Sequence, residues 1–323
     1  MTNNSLESNG ARTGQSASPV RILVTGGTGL IGARCVGILS SGSENIHVIS
    51  RQQTVYDHEG VTYHEVDLLD HSQVKRTIAA VRPTHLLHLA WDVSGDFRNA
   101  TNNVKWVHAG YELTKHFVEQ GGRRAVFAGT CLEYIPRSGL CTVSQTALQP
   151  NTLYGSAKNM LRQLVESVAG EEFTYAWARV FFAYGPNENK LRLVPAIIRP
   201  LLQGKLAPCS AGRQVRDYLH VYDIASALVR LLESSVSGPV NIGSGRPVQV
   251  RDIIGTIARL VGRPELVNFG AFQSNSTDPD FIVADTERLQ DEVGWAPVFT
   301  LDSGLRHTIN WWKREMQINE PVQ

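Results

Sequence analysis

The sequence predicts an α/β fold in which a doubly wound parallel sheet carries a smaller C-terminal lobe. Three observations lead there. From residue 20 short β-rich runs alternate with longer helical stretches, and the first run ends in a glycine-rich turn. After YGP (184–186) the alternation gives way to segments rich in Pro and Gly. Near-continuous apolar strands separated by helices imply a parallel sheet covered on both faces, and right-handed crossovers wind it twice.

VRILVTG (20–26) reads as the first strand, followed by a helix from about Leu30 to Ser40 and by IHVIS (46–50) as the second strand. VTYHEVD (61–67) is the third, HSQVKRTIAAV (71–81) a helix, and THLLHLA (84–90) the fourth strand. A long helix covers roughly Thr101 to Gly121, and RRAVFAGT (123–130) is the fifth strand. Another helix runs from about Leu153 to Ala169, and FTYAWARVFF (173–182) is the sixth strand. YLHVYDIASALVRLL (218–232) and PVNIGSG (239–245) return to the strand-and-helix style. The expected organisation is a disordered tail at 1–18, a dinucleotide-binding domain of 19–184 plus 220–245, and a substrate-binding lobe of 185–219 plus 246–323. The polar tail has nothing to offset the entropy of ordering it.

Composition narrows the function classes. The 323 residues are 42% apolar and 19% charged, with a net charge of +1 and no basic block, which argues against nucleic acid or an anionic membrane as partner. Cys35, Cys131, Cys141 and Cys209 lie far apart, with no metal-ligand spacing, so no metal is expected and a reducing compartment is. The N-terminus lacks the basic-then-apolar order of a signal peptide, and no apolar run is long enough to span a bilayer; a cytoplasmic protein is expected.

TGGTGLIG (25–32) closes the first strand and opens the first helix. In its GxxGxxG spacing Gly26 permits the tight turn, Gly29 admits a pyrophosphate to the backbone, and Gly32 lets the helix pack on the sheet. The helix N-terminus offers N–H groups and partial positive charge to phosphates. NAD-binding units usually carry a carboxylate about 20 residues later; here Ser50 and Arg51 end the second strand. A carboxylate would repel the 2′-phosphate of NADP, whereas arginine grips it with a charged fork. The expected cofactor is therefore NADP(H), with NAD(H) second, the alternative being that Arg51 is a solvated loop residue. Asp67 either accepts from the adenine amino group or caps the following helix. His88 reads as a satisfied core histidine.

Tyr154 and Lys158 in LYGSAKNML stand four residues apart, on one helix face. A tyrosine ionises near pH ~10, too high for proton exchange near neutrality, and a neighbouring ammonium would lower it. Thr130 ends the fifth strand in AGTCLEY, at the carboxyl edge where open α/β sheets bind ligands.

Taken with DLLD, HLAW, RVFFAYGP, GRQVRDYLHVYDIA, NIGSG and DEVGWAP, these motifs resemble the extended short-chain dehydrogenase/reductases, in particular the NAD(P)-dependent epimerase/dehydratase branch acting on nucleotide sugars. The resemblance runs from residue 20 to about 312 and implies a Rossmann domain with Thr130, Tyr154 and Lys158 as the catalytic triad. It further implies cofactor contacts at Gly26, Thr28, Gly29, Leu30, Ile31, Gly32, Ser50, Arg51, Asp67, Leu68, Leu89 and Ala90, besides Tyr154 and Lys158. On the substrate side it points to Thr130, Phe182, Asn187, Arg192, Leu193, Val194, Arg213, Arg216 and Asp278, with Arg216 on the nucleotide diphosphate, Arg213 as its helper, and Arg192, Leu193 and Val194 along the nucleotide base; the bland alternative is an Arg216–Asp217 or other surface pair. Trp311 and Trp312 read as packing of the last helix.

Three departures shape the expected reaction. The Asp and Glu that sugar-nucleotide dehydratases of this family carry after the catalytic Thr are Cys131 and Leu132, which disfavours dehydration. The family's RxFN asparagine is Phe182, and an arginine expected shortly before Asp278 is missing in QSNSTDPD. The resulting expectation is NADPH-dependent reduction of a nucleotide-linked 4-keto-6-deoxysugar, with an NAD-dependent nucleotide-sugar 4-epimerase as alternative and a non-enzymatic redox sensor, a class that tends to lose the Tyr/Lys pair, a distant third. The family also implies a homodimer through a four-helix interface of 101–121 and 153–169.

Overall fold

The computed structural model describes residues 19–42, 45–51, 58–135, 139–273 and 279–318. The expected tail at 1–18 and Asp278 lie outside them. The first half of the chain follows the anticipated rhythm: β1 (Ile22–Thr25), α1 (Gly32–Ser40), β2 (Ile46–Ser50), β3 (Val61–Glu65), α2 (His71–Val81), β4 (His85–His88), α3 (Asn103–Glu119) and β5 (Arg124–Thr130). Then come β6 (Gly139–Cys141), α4 (Leu153–Val168), β7 (Thr174–Val180), β8 (Phe182–Tyr184), α5 (Leu193–Leu202), β9 (Ala207–Cys209), β10 (Val215–Arg216), β11 (Tyr218–His220), α6 (Val221–Glu233) and β12 (Gly238–Ile242). The chain closes with β13 (Val248–Gln249), α7 (Val250–Val261), β14 (Val267–Phe269), β15 (Phe281–Ala284) and α8 (Leu301–Ile318).

Seven strands form one sheet in the order β12-β7-β5-β4-β1-β2-β3, every pairing parallel. The strand order reverses between β1 and β4, so a crevice opens at their carboxyl ends, where such sheets bind ligands. Alternation along the strands builds two cores. Ile22, Val24, Val48, Val126, Ala178 and Val240 pack beneath α1 and α6, whereas Leu23, Ile49, Leu86, Ala125, Phe127 and Trp177 pack beneath α2, α3 and α4. Both faces are dry, which is why these strands read as nearly unbroken apolar runs.

The predicted sixth strand divides. Phe181 still donates its amide to Ile242 of β12 at 3.0 Å, but the Phe182 amide turns to the Asp217 carbonyl at 3.1 Å. Phe182–Tyr184 then pairs with β11 instead of extending β7. Strand periodicity continues through both pieces, so the break is a tertiary event. The lobe contains a four-stranded sheet, β13-β10-β15-β6, and a core in which α5, α7 and α8 enclose Val194, Ile197, Ile254, Ile257, Leu305 and Trp312. Trp312 thus packs the last helix as expected. The strand at Gly139–Cys141 was not anticipated; it joins this small sheet from the middle of the dinucleotide-binding segment. Among the described residues no helix is long and apolar enough to cross a membrane.

The glycine turn holds β1 and α1 at close quarters. A Cβ on Gly32 would collide with the Gly26 carbonyl oxygen, and one on Gly26, whose φ is +70°, would meet the Ala90 amide at 2.7 Å. Backbone atoms cannot yield as a flexible side chain does. Gly32→Ala is therefore expected to lower the unfolding free energy by about 1–3 kcal/mol, measurable by urea denaturation.

Candidate active site

The turn is shaped to receive a dinucleotide. Gly26 and Gly32 are packed inward, while Thr28 and Gly29 are exposed on the crevice side, and the only atom near an added Cβ at Gly29 is the Gly26 carbonyl oxygen at 3.2 Å. The N-terminus of α1, at Leu30–Gly32, has no side-chain cap and no acidic residue in its first turn. It offers backbone donors and dipole charge to an anion. Leu89 and Ala90 line the turn from β4: the Leu89 amide donates to the Thr25 carbonyl at 3.1 Å, and the Ala90 backbone abuts Gly26. These residues fit a pyrophosphate-bearing cofactor, which they would hold through backbone groups.

At the end of β2, Ser50 is buried and Arg51 exposed. The two readings of Asp67 separate. The cap of α2 is Asp70, whose carboxylate accepts from Ser72 and Gln73, while exposed Asp67 accepts from the Leu69 amide at 3.0 Å and Leu68 is buried. Near Arg51 stands Asp92, whose carboxyl is held low by the Ser94 hydroxyl and amide, by Asn102 and by Arg51 itself.

Thr130, Tyr154 and Lys158 meet at the carboxyl edge of the sheet. Thr152 caps α4 by accepting from Gly155, which sets the helix so that Tyr154 and Lys158 share one face. Lys158 donates to the Ala128 carbonyl at 2.7 Å and lies 3.9 Å from the Trp91 ring centroid. The tyrosine ring is wedged between aromatic neighbours, with Phe97 and Trp91 at centroid distances of 5.0 and 6.1 Å. Burial, then Glu133 and Cys131, push the Tyr154 phenol above its ordinary range, opposed by a hydrogen bond from Thr130 and by Arg192.

That direction differs from the expected one. Lys158 stands 5.9 Å from the Tyr154 ring centroid and is itself pulled down by burial to about 7, with Glu133 working against the shift. Held by a carbonyl and an indole face, Lys158 is not among the groups that lower the phenol, which are Thr130 and Arg192. Lys158 is the group of the pair poised near neutrality. His88 is a core residue as read, but only half satisfied: Nδ1 lies 2.7 Å from the Thr25 hydroxyl while Nε2 has no partner. Burial and Lys158 lower it to about 3, so it stays neutral.

Glu133 was missed, although T-x-x-E in TCLE is a capping-box signal. The Thr130 hydroxyl accepts from the Leu132 amide at 3.2 Å, and Glu133 Oε1 accepts from the Thr130 amide at 2.8 Å. Glu133 is fully buried and also accepts from the Trp177 indole at 2.9 Å and from Arg179 Nε at 2.8 Å. It fixes Thr130 from below. Trp91 and Phe97 were missed as individual residues; their place beside Tyr154 depends on the loop before α3, which has no periodic signal.

On the lobe side, the Phe182 and Tyr218 rings lie tilted at 45° with centroids 5.7 Å apart, and the Arg216 guanidinium lies 5.4 Å from the Phe182 ring. The Arg216–Asp217 pairing does not form: Asp217 accepts from Ser244, Gly245 and Ala284, tying NIGSG to β15. Arg216 is buried, Arg213 exposed on the preceding turn. Exposed Arg192 begins α5 with its guanidinium 5.1 Å from the Phe97 ring, which brings it toward Tyr154. Leu193 is half-buried, but the Val194 side chain belongs to the lobe core, leaving its backbone for contacts. Asn187 is exposed at φ +65°, a conformation asparagine tolerates better than most residues.

Two outcomes follow from the buried charges. Glu133→Ala leaves Arg179 buried without its carboxylate and is expected to destabilise by about 3–5 kcal/mol, read from chemical denaturation. For Lys158 the folded-state value lies below the ordinary 10.5. The unfolded chain therefore binds more protons across that window, and this group's contribution weakens stability as pH falls from about 10 to 7. Lys158→Met is expected to be at least as stable as wild type at pH 7, with its advantage shrinking toward pH 10 in parallel melts.

Residues 22–243 match the model of the NAD dependent epimerase/dehydratase family. Among curated proteins the chain is 26% identical to UDP-glucuronic acid decarboxylase 1 of Xenopus tropicalis, covering 92% of this chain and 73% of that protein. It is 25% identical to the UDP-glucose 4-epimerase of Halalkalibacterium halodurans, over 90% of this chain and 95% of that one. Among solved structures it superposes on MoeE5 in complex with UDP-glucuronic acid and NAD, at a TM-score of 0.79 and 26% identity, covering 91% of this chain and 99% of the other. With the glycine turn, the Thr–Tyr–Lys cluster and a match across most of its length, this chain belongs to the NAD-dependent epimerase/dehydratase family.

Proposed function

We propose that the protein is an NADPH-dependent reductase of a nucleotide-linked 4-keto-6-deoxysugar. The observation carrying this reading is Arg51 at the end of β2, where a guanidinium suits a 2′-phosphate and no carboxylate opposes it within the strand. A reduced nicotinamide dinucleotide held at the glycine turn would supply the hydride. Tyr154 protonates the oxygen of the reduced carbonyl, Thr130 orients that oxygen, and Lys158, near neutrality, holds a ribose hydroxyl and resupplies the proton. Arg216, with Arg213 as helper, pairs with the diphosphate, and Arg192 lies along the nucleotide base. Cys131 and Leu132 beside Thr130 support reduction over dehydration, since neither can exchange protons there; burial pushes the Cys131 thiol far up. Val104 and Met160, exposed on α3 and α4, support a homodimer through these helices. The buried free thiols suit a cytoplasmic setting.

A nucleotide-sugar 4-epimerase with NAD is the second reading. It is favoured by the relatives named as epimerases and by NAD in the MoeE5 complex. Asp92, close to Arg51, also offers a carboxylate for an unphosphorylated ribose.

Mixing the protein with NADPH and dTDP-, GDP- or CDP-4-keto-6-deoxyhexose should oxidise the cofactor; silence with all three rejects the reductase. Tyr154→Phe is expected to lower kcat by about 100- to 10,000-fold without loss of cofactor binding. Arg51→Ala should raise the KM for NADPH more than that for NADH, and equal effects remove the cofactor argument. Mass analysis of dinucleotide released on denaturation separates the readings, with stoichiometric NAD favouring epimerisation.

A further inference from the structure

No role given above uses Glu188. It stands in YGPNENK, between β8 and α5. Its side chain is buried at 8% exposure, and Oε2 has no hydrogen-bond partner. Folded chains satisfy nearly all such atoms, because an unpaired one carries its full desolvation penalty. Gly185 just after β8, Arg192 just before α5 and Tyr218 on β11 stand around it. Arg192 at the start of α5 and the Gly185 backbone favour the ionised carboxyl, yet burial outweighs both and pushes it up to about 8. From β11, Tyr218 is near enough to feel Glu188 and Arg216 together. Arg192 leads onward through Phe97, 5.1 Å away, to Tyr154, whose ring lies 5.0 Å from that of Phe97.

We infer that Glu188 is a specificity residue that receives a hydroxyl group of the sugar carried by the nucleotide substrate. The inference rests on the nucleotide-sugar reading above, and holds for either reaction. A protonated carboxyl presents one donor and one acceptor, which matches a hydroxyl that is itself both. The diphosphate is excluded from this position, since an anion would meet a carboxyl oxygen rather than a donor cluster; its partner in the proposed function is Arg216. A sugar hydroxyl supplies the bond that Oε2 lacks in the folded chain.

Calorimetry on wild type, Glu188→Gln and Glu188→Leu tests this, comparing UDP-glucose, dTDP-glucose and GDP-mannose each with its bare nucleoside diphosphate. Glu188→Leu is expected to lose about tenfold of the sugar-dependent affinity, the worth of one hydrogen bond to a buried partner. Glu188→Gln, which keeps a donor and an acceptor, should retain most of it, and affinity for the bare diphosphates should not change in either variant. The Tm of Glu188→Leu should equal or exceed that of wild type, since an unpaired polar atom has gone. A Tm lower by several degrees would make Glu188 a structural group and overturn the inference. Sugar-dependent affinity untouched in Glu188→Leu overturns it while leaving the nucleotide-sugar reading intact. Failure of every pair to bind wild type rejects that reading, and the inference with it.

Discussion

A buried carboxylate at Glu133 ties the catalytic edge to the rest of the molecule. It accepts from the backbone of Thr130, from Trp177 and from Arg179 on β7. Arg179 lies 4.8 Å from the Tyr134 ring and donates to the Tyr134 hydroxyl, which in turn donates to Asn241 on β12. Asn241 then donates to the carbonyls of Cys141 and Asp285, at the edge of the small sheet. One hydrogen-bonded chain thus crosses three strands of the main sheet and reaches the lobe. A charge buried this way contributes little net stability against apolar residues of the same shape. What it supplies is registration: Thr130 cannot drift from Tyr154 without breaking the bond from its own amide to Glu133.

Desolvation is the common source of the unusual ionisation at the crevice. It raises Tyr154 and Glu188, and it lowers Lys158 and His88. In each case the charged form loses water and gains too little in exchange. A dry edge therefore keeps the phenol protonated and ready to donate, while bringing the lysine close to neutrality. The same dryness makes each unpaired polar atom here expensive.

Acidic residues inside the lobe motifs do a different job. Asp217 gathers four donors from the loop after β12 and from β15, and Asp223 accepts from the amides of Val298 and Phe299. Both fasten distant backbone to the sheet. The motif GRQVRDYLHVYDIA therefore contains two acids whose work is architectural, which their spacing along the chain does not reveal.

The sequence by itself determined the main sheet, its helices, the glycine turn and the pairing of Tyr154 with Lys158, because each depends on neighbours only a few residues apart. Period-two and period-3.6 patterns, a cap at Thr152 and a glycine whose Cβ has no room are local facts. Even Glu133 was legible in the T-x-x-E spacing. Only the tertiary structure decided the break at Phe181, where the chain exchanges β12 for β11 as partner, and the recruitment of Gly139–Cys141 into the small sheet. It also decided the direction of the shift at Tyr154, since a pKa depends on how much water the fold removes and on which groups close around the site. Glu188 belongs to that second class. Its type and position were visible, but an unpaired oxygen is a property of the space around it, formed by β8, β11 and α5 together.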